Sequence, residues 1–168
     1  MSVRQPENAI LIMVERLNMG LSIGIDIKLY ANTPEYEITQ LDVLKIFQKS
    51  QWKFSNTQGQ QTYLPLHDNE SYDWNYGNFC NKYLFDIFEL KAKAKEIIGV
   101  RLFWEDSDVG VDLLLYPNLT MIFSIERGNR PVTHYGITDF DWFLSRIIPL
   151  FNETDFIGIE YVEFMEHS

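Results

Sequence analysis

Three apolar runs, at residues 100–104, 109–116 and 119–125, follow one another with only Glu105-Asp106-Ser107-Asp108 and Pro117-Asn118 between them. No other feature of the chain limits its fold so sharply. Polar or turn-forming breaks this short, set between β-branched and aromatic runs, are the pattern of an antiparallel meander. The segment 99–128 therefore predicts three adjacent strands, with a knot of carboxylates at the first hairpin tip.

The flanking sequence supplies further strands and helices. At residues 21–30, Leu21, Ile23, Ile25, Ile27 and Leu29 alternate strictly with Ser22, Gly24, Asp26, Lys28 and Tyr30, which predicts a strand with one face buried. Residues 8–18 read as a helix or a strand. Thr39 and Asp42 are spaced as a capping box opening a helix to about Gln48, with Leu41, Leu44 and Phe47 buried. Residues 51–54 and 62–66 flank the polar turn 55–61 and predict a small hairpin.

Residues 78–98 carry the strongest helical pattern. Cys80, Leu84, Ile87 and Phe88 form its stripe, Glu89 and Lys93 an i,i+4 pair, and Gly99 stands where a terminating glycine is expected. A third helix is expected from Thr138, with Asp141 in its first turn and Ile137 placed to staple Trp142. Phe140, Phe143, Leu144 and Ile147 would face inward, and Pro149 would stop this helix near Ile148. Residues 156–165 close as a strand with Ile157, Ile159 and Tyr161 on one face. The whole predicts a single α+β domain over residues 1–168. Its sheet is mainly antiparallel, with two to three helices packed on one face.

Composition excludes several classes. Hydrophobic residues make up 46% of the 168 and aromatics 15%, too many for a disordered chain. One cysteine permits neither an intramolecular disulfide nor a CxxC motif, and points to a reducing compartment. The apolar run at 9–14 is shorter than a signal-peptide core, and no run approaches the ~20 residues that span a bilayer. A soluble, cytoplasmic protein is expected.

Net charge is −10, and it is unevenly placed. Residues 1–62 hold six acids and six bases, so the remainder carries the whole excess. Clustered Lys and Arg, which nucleic-acid backbones and anionic membranes require, are missing. A basic partner would be attracted, although an acidic surface also serves solubility.

Two segments stand out as candidate sites. The tip Glu105, Asp106 and Asp108, with Asp112 further along, suits either a hard cation or a solvated turn, and no EF-hand spacing accompanies it. The loop from His67 carries Tyr72, Asp73, Trp74 and Tyr76, rings beside carboxylates and amides as interfaces use them, unless they fold over the sheet edge as core. Cys80 with His67 or His134 has no catalytic spacing, and on its stripe Cys80 reads as a buried small hydrophobe. Neither a Gly-rich phosphate loop nor a Gly-x-Ser-x-Gly elbow occurs. Asp139 and Asp141 are explained by the start of a helix.

These observations lead to the expectation of a small acidic protein-binding module, of the inhibitor or immunity type, masking a basic protein. Its contact residues would be Tyr72, Asp73, Trp74, Tyr76, Trp104, Glu105, Asp106 and Asp108, with no catalytic residue, metal or cofactor. Two alternatives stand beside it. One is a small metal-assisted enzyme using the carboxylates of 105–112 with His67 or His134. The other is a small-molecule-binding or scaffold subunit using the sheet face that helices leave open.

Overall fold

The computed structural model describes residues 23–126 and 128–166. The element expected at 8–18, the first two residues of the 21–30 strand and His167 lie outside them. The described elements are β1 (Ile23–Ala31), α1 (Gln40–Gln48), β2 (Trp52–Lys53), β3 (Gln61–Tyr63), β4 (Asn75–Gly77) and α2 (Asn81–Lys93). They continue with β5 (Ile98–Trp104), β6 (Gly110–Leu115), β7 (Thr120–Ile125), α3 (Phe140–Asn152) and β8 (Ile157–Glu166).

The strands form one antiparallel sheet in the order β4-β3-β5-β6-β7-β1-β8, and β2 also pairs with β5. The meander β5-β6-β7 is its centre, as its short breaks require. Alternation then sorts the side chains. Ile25, Ile27, Val100, Leu102, Leu113 and Phe123 are buried in one core with Leu44, Phe47, Phe88, Phe143 and Phe151 of the three helices. On the opposite face a smaller cluster joins Leu64, Leu114 and Ile122 to Tyr72, Trp74, Ile97 and Tyr116. The fold is α+β, a mostly antiparallel sheet with helices packed against it.

Local chemistry explains the first helix. The Asp42 carboxylate accepts the Thr39 amide at 2.8 Å, and Thr39 Oγ1 accepts the Asp42 amide at 3.3 Å, closing the capping box. The expectations for four segments need correction.

The 51–66 hairpin does not form: β2 and β3 both pair with β5, through Trp52↔Trp104 and Tyr63↔Val100. That arrangement buries Trp52, Phe54 and Tyr63 in the main core, which an isolated hairpin cannot do. Between them Asn56 Oδ1 accepts the amides of Gln58 (3.0 Å) and Gln60 (2.9 Å), and Gly59 supplies the left-handed residue, φ +75°.

The second helix is shorter than its pattern. Cys80 is its N-cap, exposed and making no side-chain capping bond. The chain leaves α2 through Lys95 at φ +55°, so Gly99 does not end a helix. It lies inside β5, where a Cβ would fall 2.5 Å from Leu64 Cγ.

For α3, Asp139 is the cap, accepting the Trp142 amide at 3.1 Å. Thr138 is buried in a bridge to Val132 and Ile137 is exposed, so the staple is not made. Pro149 lies within the helix, which continues to bury Phe151 edge-on against Phe47 at 5.7 Å.

In β8 the register shifts between Lys28↔Tyr161 and Leu29↔Ile159, leaving Glu160 as the extra residue. The face that begins with Ile157 and Ile159 therefore continues with Val162 against the core, while Tyr161 is exposed.

Candidate functional site

Three carboxylates crowd the β5–β6 tip. The reversal is held by the Trp104 amide donating to Val109 O (2.9 Å) and by the Ser107 amide and hydroxyl, both donating to Trp104 O. Glu105 takes φ +47° and donates its amide to Gln51 O at 3.0 Å, tying the tip to the start of β2. The side chains of Glu105, Asp106 and Asp108 are exposed. The ion pairs among the described residues engage Glu96, Asp86, Glu89 and Asp112 and none of the three tip carboxylates.

The tip divides two concave surfaces. Toward the helices, Trp104 packs edge-on against Trp52 (5.2 Å) and Trp142 (6.1 Å). The Arg146 guanidinium lies 4.1 Å from the Trp142 ring centre and 5.1 Å from that of Trp104, a cation–π arrangement. Its Nη1 donates to Trp142 O at 2.9 Å, while Trp52 Nε1 donates to Arg146 O at 3.1 Å. Beside this stack a hollow of about 680 Å³ is lined by Trp104, Arg146, Lys49, Gln51, Leu150 and Glu153, among others.

On the other face a cleft of about 440 Å³ is bounded by Tyr76, Arg101, Phe103, Asp108 and Glu126, with Asn129 and the turn from Asn56 to Gln60. Register builds it. Tyr76 pairs with Thr62, and Tyr63↔Val100 brings Thr62 beside Arg101, which pairs across to Asp112 and then Ser124. Arg101 Nε and Nη2 donate to the two Asp112 oxygens at 2.6 and 2.9 Å. This bond raises the arginine's already high pKa, against the effect of burial. Asp108 Oδ1 accepts the Thr57 hydroxyl at 3.1 Å, joining the tip to the 56–60 turn.

The 67–74 loop is held by a separate knot. Lys91, with no exposed side-chain surface, donates to Pro65 O at 2.7 Å and lies 3.5 Å from Glu96 Oε2. Burial lowers the Lys91 pKa, and the Glu96 charge opposes that shift. Glu96 also accepts the His67 amide at 2.9 Å and contacts the His67 ring at 3.0 Å. Burial alone would raise its carboxyl, but His67 and Lys91 together hold it below the ordinary range. Asp68 accepts the amides of Ser71, Tyr72 and Asp73, and Asn69 accepts that of Ile97. The loop's polar residues are thus its scaffold.

The eight residues singled out from sequence do not share one surface. Tyr72 and Trp74 fold onto the smaller core, because Gly99 leaves room beneath Trp74. Asp73 is exposed nearby. Tyr76, 76% exposed, and Asp108 meet at the polar cleft. Trp104 faces the helices, with Glu105 and Asp106 on the tip between the two hollows.

The histidine-and-carboxylate arrangement does not assemble. His67 is engaged at Glu96, before β5, roughly 20 Å of strand from the tip. Asp112 is occupied by Arg101, and His134 is exposed beside the Tyr135 ring. Among the described residues no group of three or more His, Cys, Asp or Glu is placed to hold a metal ion. No described helix is long and apolar enough to cross a membrane.

Sequence reading did not single out Trp142, Arg146, Arg101 and Glu126 as site residues, and gave Trp142 only a stapling role. Trp142 and Arg146 stand at i,i+4, a readable helical pair. Arg101 and Asp112 face one another once the tip at 105–108 sets the register, a readable cross-strand pair. Nothing in the sequence marks Glu126. Comparisons with protein-family models, curated proteins and solved structures give no match.

Proposed function

We propose that this chain is a protein-binding module that docks a basic protein through the β5–β6 end of its sheet. The observation that supports the reading is the set of three exposed tip carboxylates, none of them in an ion pair among the described residues, set beside the half-buried Trp104. Uncompensated carboxylates steer a cationic surface during encounter, and an aromatic side chain that is already partly desolvated and held in place anchors it afterwards. Trp104 is fixed by Trp52, Trp142 and Arg146, so little side-chain entropy is lost on contact. A metal-assisted reaction lacks a donor group among the described residues and is not carried forward.

The test is association kinetics with a basic protein retained from host lysate, measured at low and high salt. The expected result is an on-rate that falls at least tenfold as salt rises, and that Glu105→Gln/Asp106→Asn/Asp108→Asn lowers at low salt. Trp104→Ala should act mainly on the off-rate, by tenfold or more. A salt-independent on-rate, unchanged in the triple variant, would overturn the reading.

A further inference from the structure

The polar cleft on the helix-free face has a chemistry of its own. Its floor carries Arg101, but that charge is taken up by Asp112 through two hydrogen bonds. Among the described residues of its lining the carboxylates are Asp108 and Glu126, both exposed, and the Glu126 charge also acts on Arg101. Around them stand the side-chain amides of Asn56, Gln58, Gln60 and Asn129, and the open ring of Tyr76 forms part of the wall. The rim is built before any ligand arrives. Asn56 closes the turn over its own amides, and Thr57 bonds Asp108 across to the tip. At about 440 Å³ the cleft is within the range of sites that hold one compact group.

A group that suits this lining is cationic, flat enough to lie on a phenol ring, and rich in donors for carboxylates and amide oxygens. An anion would meet two carboxylates, and a purely apolar group would leave the amides without partners. We infer that this cleft receives the cationic head of a basic side chain, an arginine guanidinium, presented by the partner. The inference rests on the basic-partner reading above and adds a place for one of the partner's residues. Ring and carboxylates act together, the ring through cation–π attraction and the carboxylates through charge-assisted hydrogen bonds.

The experiment uses the full chain and a capped tri-arginine peptide, with a capped tri-citrulline peptide as the neutral isostere and a neutral oligosaccharide as a third probe. Binding is followed by NMR, on the Tyr76 ring and the Arg101 side-chain N–H. The arginine peptide should shift these resonances and bind at least tenfold tighter than the citrulline peptide. Asp108→Asn/Glu126→Gln should remove at least tenfold of that affinity and Tyr76→Ala threefold or more, while Glu35→Gln/Glu37→Gln, exposed between β1 and α1 and outside the cleft lining, changes it less than twofold. All these side chains are exposed, so the variants are expected to keep the fold.

Equal binding of the two peptides, shifts confined to residues 105–106, or binding of the oligosaccharide alone would overturn the inference. The two proposals separate cleanly. If the basic protein binds with the expected salt dependence while the arginine peptide leaves Tyr76 and Arg101 unmoved, the cleft assignment fails and the partner reading stands. If the peptide occupies the cleft but no basic protein shows salt-dependent association, the partner reading fails instead.

Discussion

Arg101 and Asp112 face each other on adjacent central strands, and the guanidinium meets both carboxylate oxygens, at 2.6 and 2.9 Å. The pair is partly buried, 33% and 23% exposed, so water screens it incompletely. Asp112→Asn should cost about 1–2 kcal/mol, the range for charged hydrogen bonds reduced for partial exposure. Urea unfolding of Asp112→Asn, Arg101→Gln and the double variant checks this. A coupling energy near zero would show that the two side chains are independent.

The Lys91–Glu96–His67 knot predicts the acid limb of the stability curve. The Glu96 pKa is lower in the folded chain than in the unfolded one. Its contribution is therefore fully present above the ordinary carboxylate pKa and is lost as pH falls through the lowered folded value. Glu96→Gln should be less stable at neutral pH and lose less stability on acidification, measured as urea midpoints from pH 7 down to 3. Lys91→Ala leaves Glu96 buried without its cation and should cost about 3–5 kcal/mol.

Gly99 is required by proximity. A Cβ there would lie 2.5 Å from Leu64 Cγ and 3.0 Å from the Trp74 ring, and neither the branched carbon nor the packed indole can yield cheaply. Gly99→Ala should destabilise by about 1–3 kcal/mol and shift Trp74 fluorescence. Leu64→Ala introduced beside it should cost less than it does alone, because the new methyl takes up part of the space. Strictly additive costs would contradict the packing.

Helix α2 begins at an exposed Cys80 with extended backbone, φ −100° and ψ 158°, no side-chain cap and no acidic residue in its first turn. That geometry suits a capping side chain which cysteine does not supply. Cys80→Asp should stabilise by about 1 kcal/mol and raise Tm by about 2–4 °C. In the native protein a maleimide should label Cys80 nearly as fast as in urea, a result that a buried thiol would not give.

The sequence made the meander legible because its pairings are between neighbours, and a two-to-four-residue break leaves few alternatives. The Thr39–Asp42 capping box was legible for the same reason. The partners of β2 and β3 were not. Their own spacing suggests a hairpin, and only the apolar area gained along β5 decides otherwise. Cys80 was misplaced because a stripe at helical spacing does not say where the helix starts. The loop aromatics divided on a long-range fact, the space left by Gly99, which puts Trp74 on the core and leaves Tyr76 in the open. The carboxylate tip was visible at once, yet the cleft beside it was not, since Glu126, Asp108 and Tyr76 converge only through register across three strands or more.

Strand β1 lies between β7 and β8, so the earliest described strand is enclosed by the last two. During synthesis its apolar face, Ile23 to Leu29, emerges long before either neighbour exists. Among the described strands only β8 fills the outer edge of β1, so in a nascent chain ending before Ile157 none of them covers the amides and carbonyls of that edge. Closing the sheet is then a late, long-range event, slower than forming the meander. Until then the exposed apolar face and open strand edge make the incomplete chain prone to aggregate.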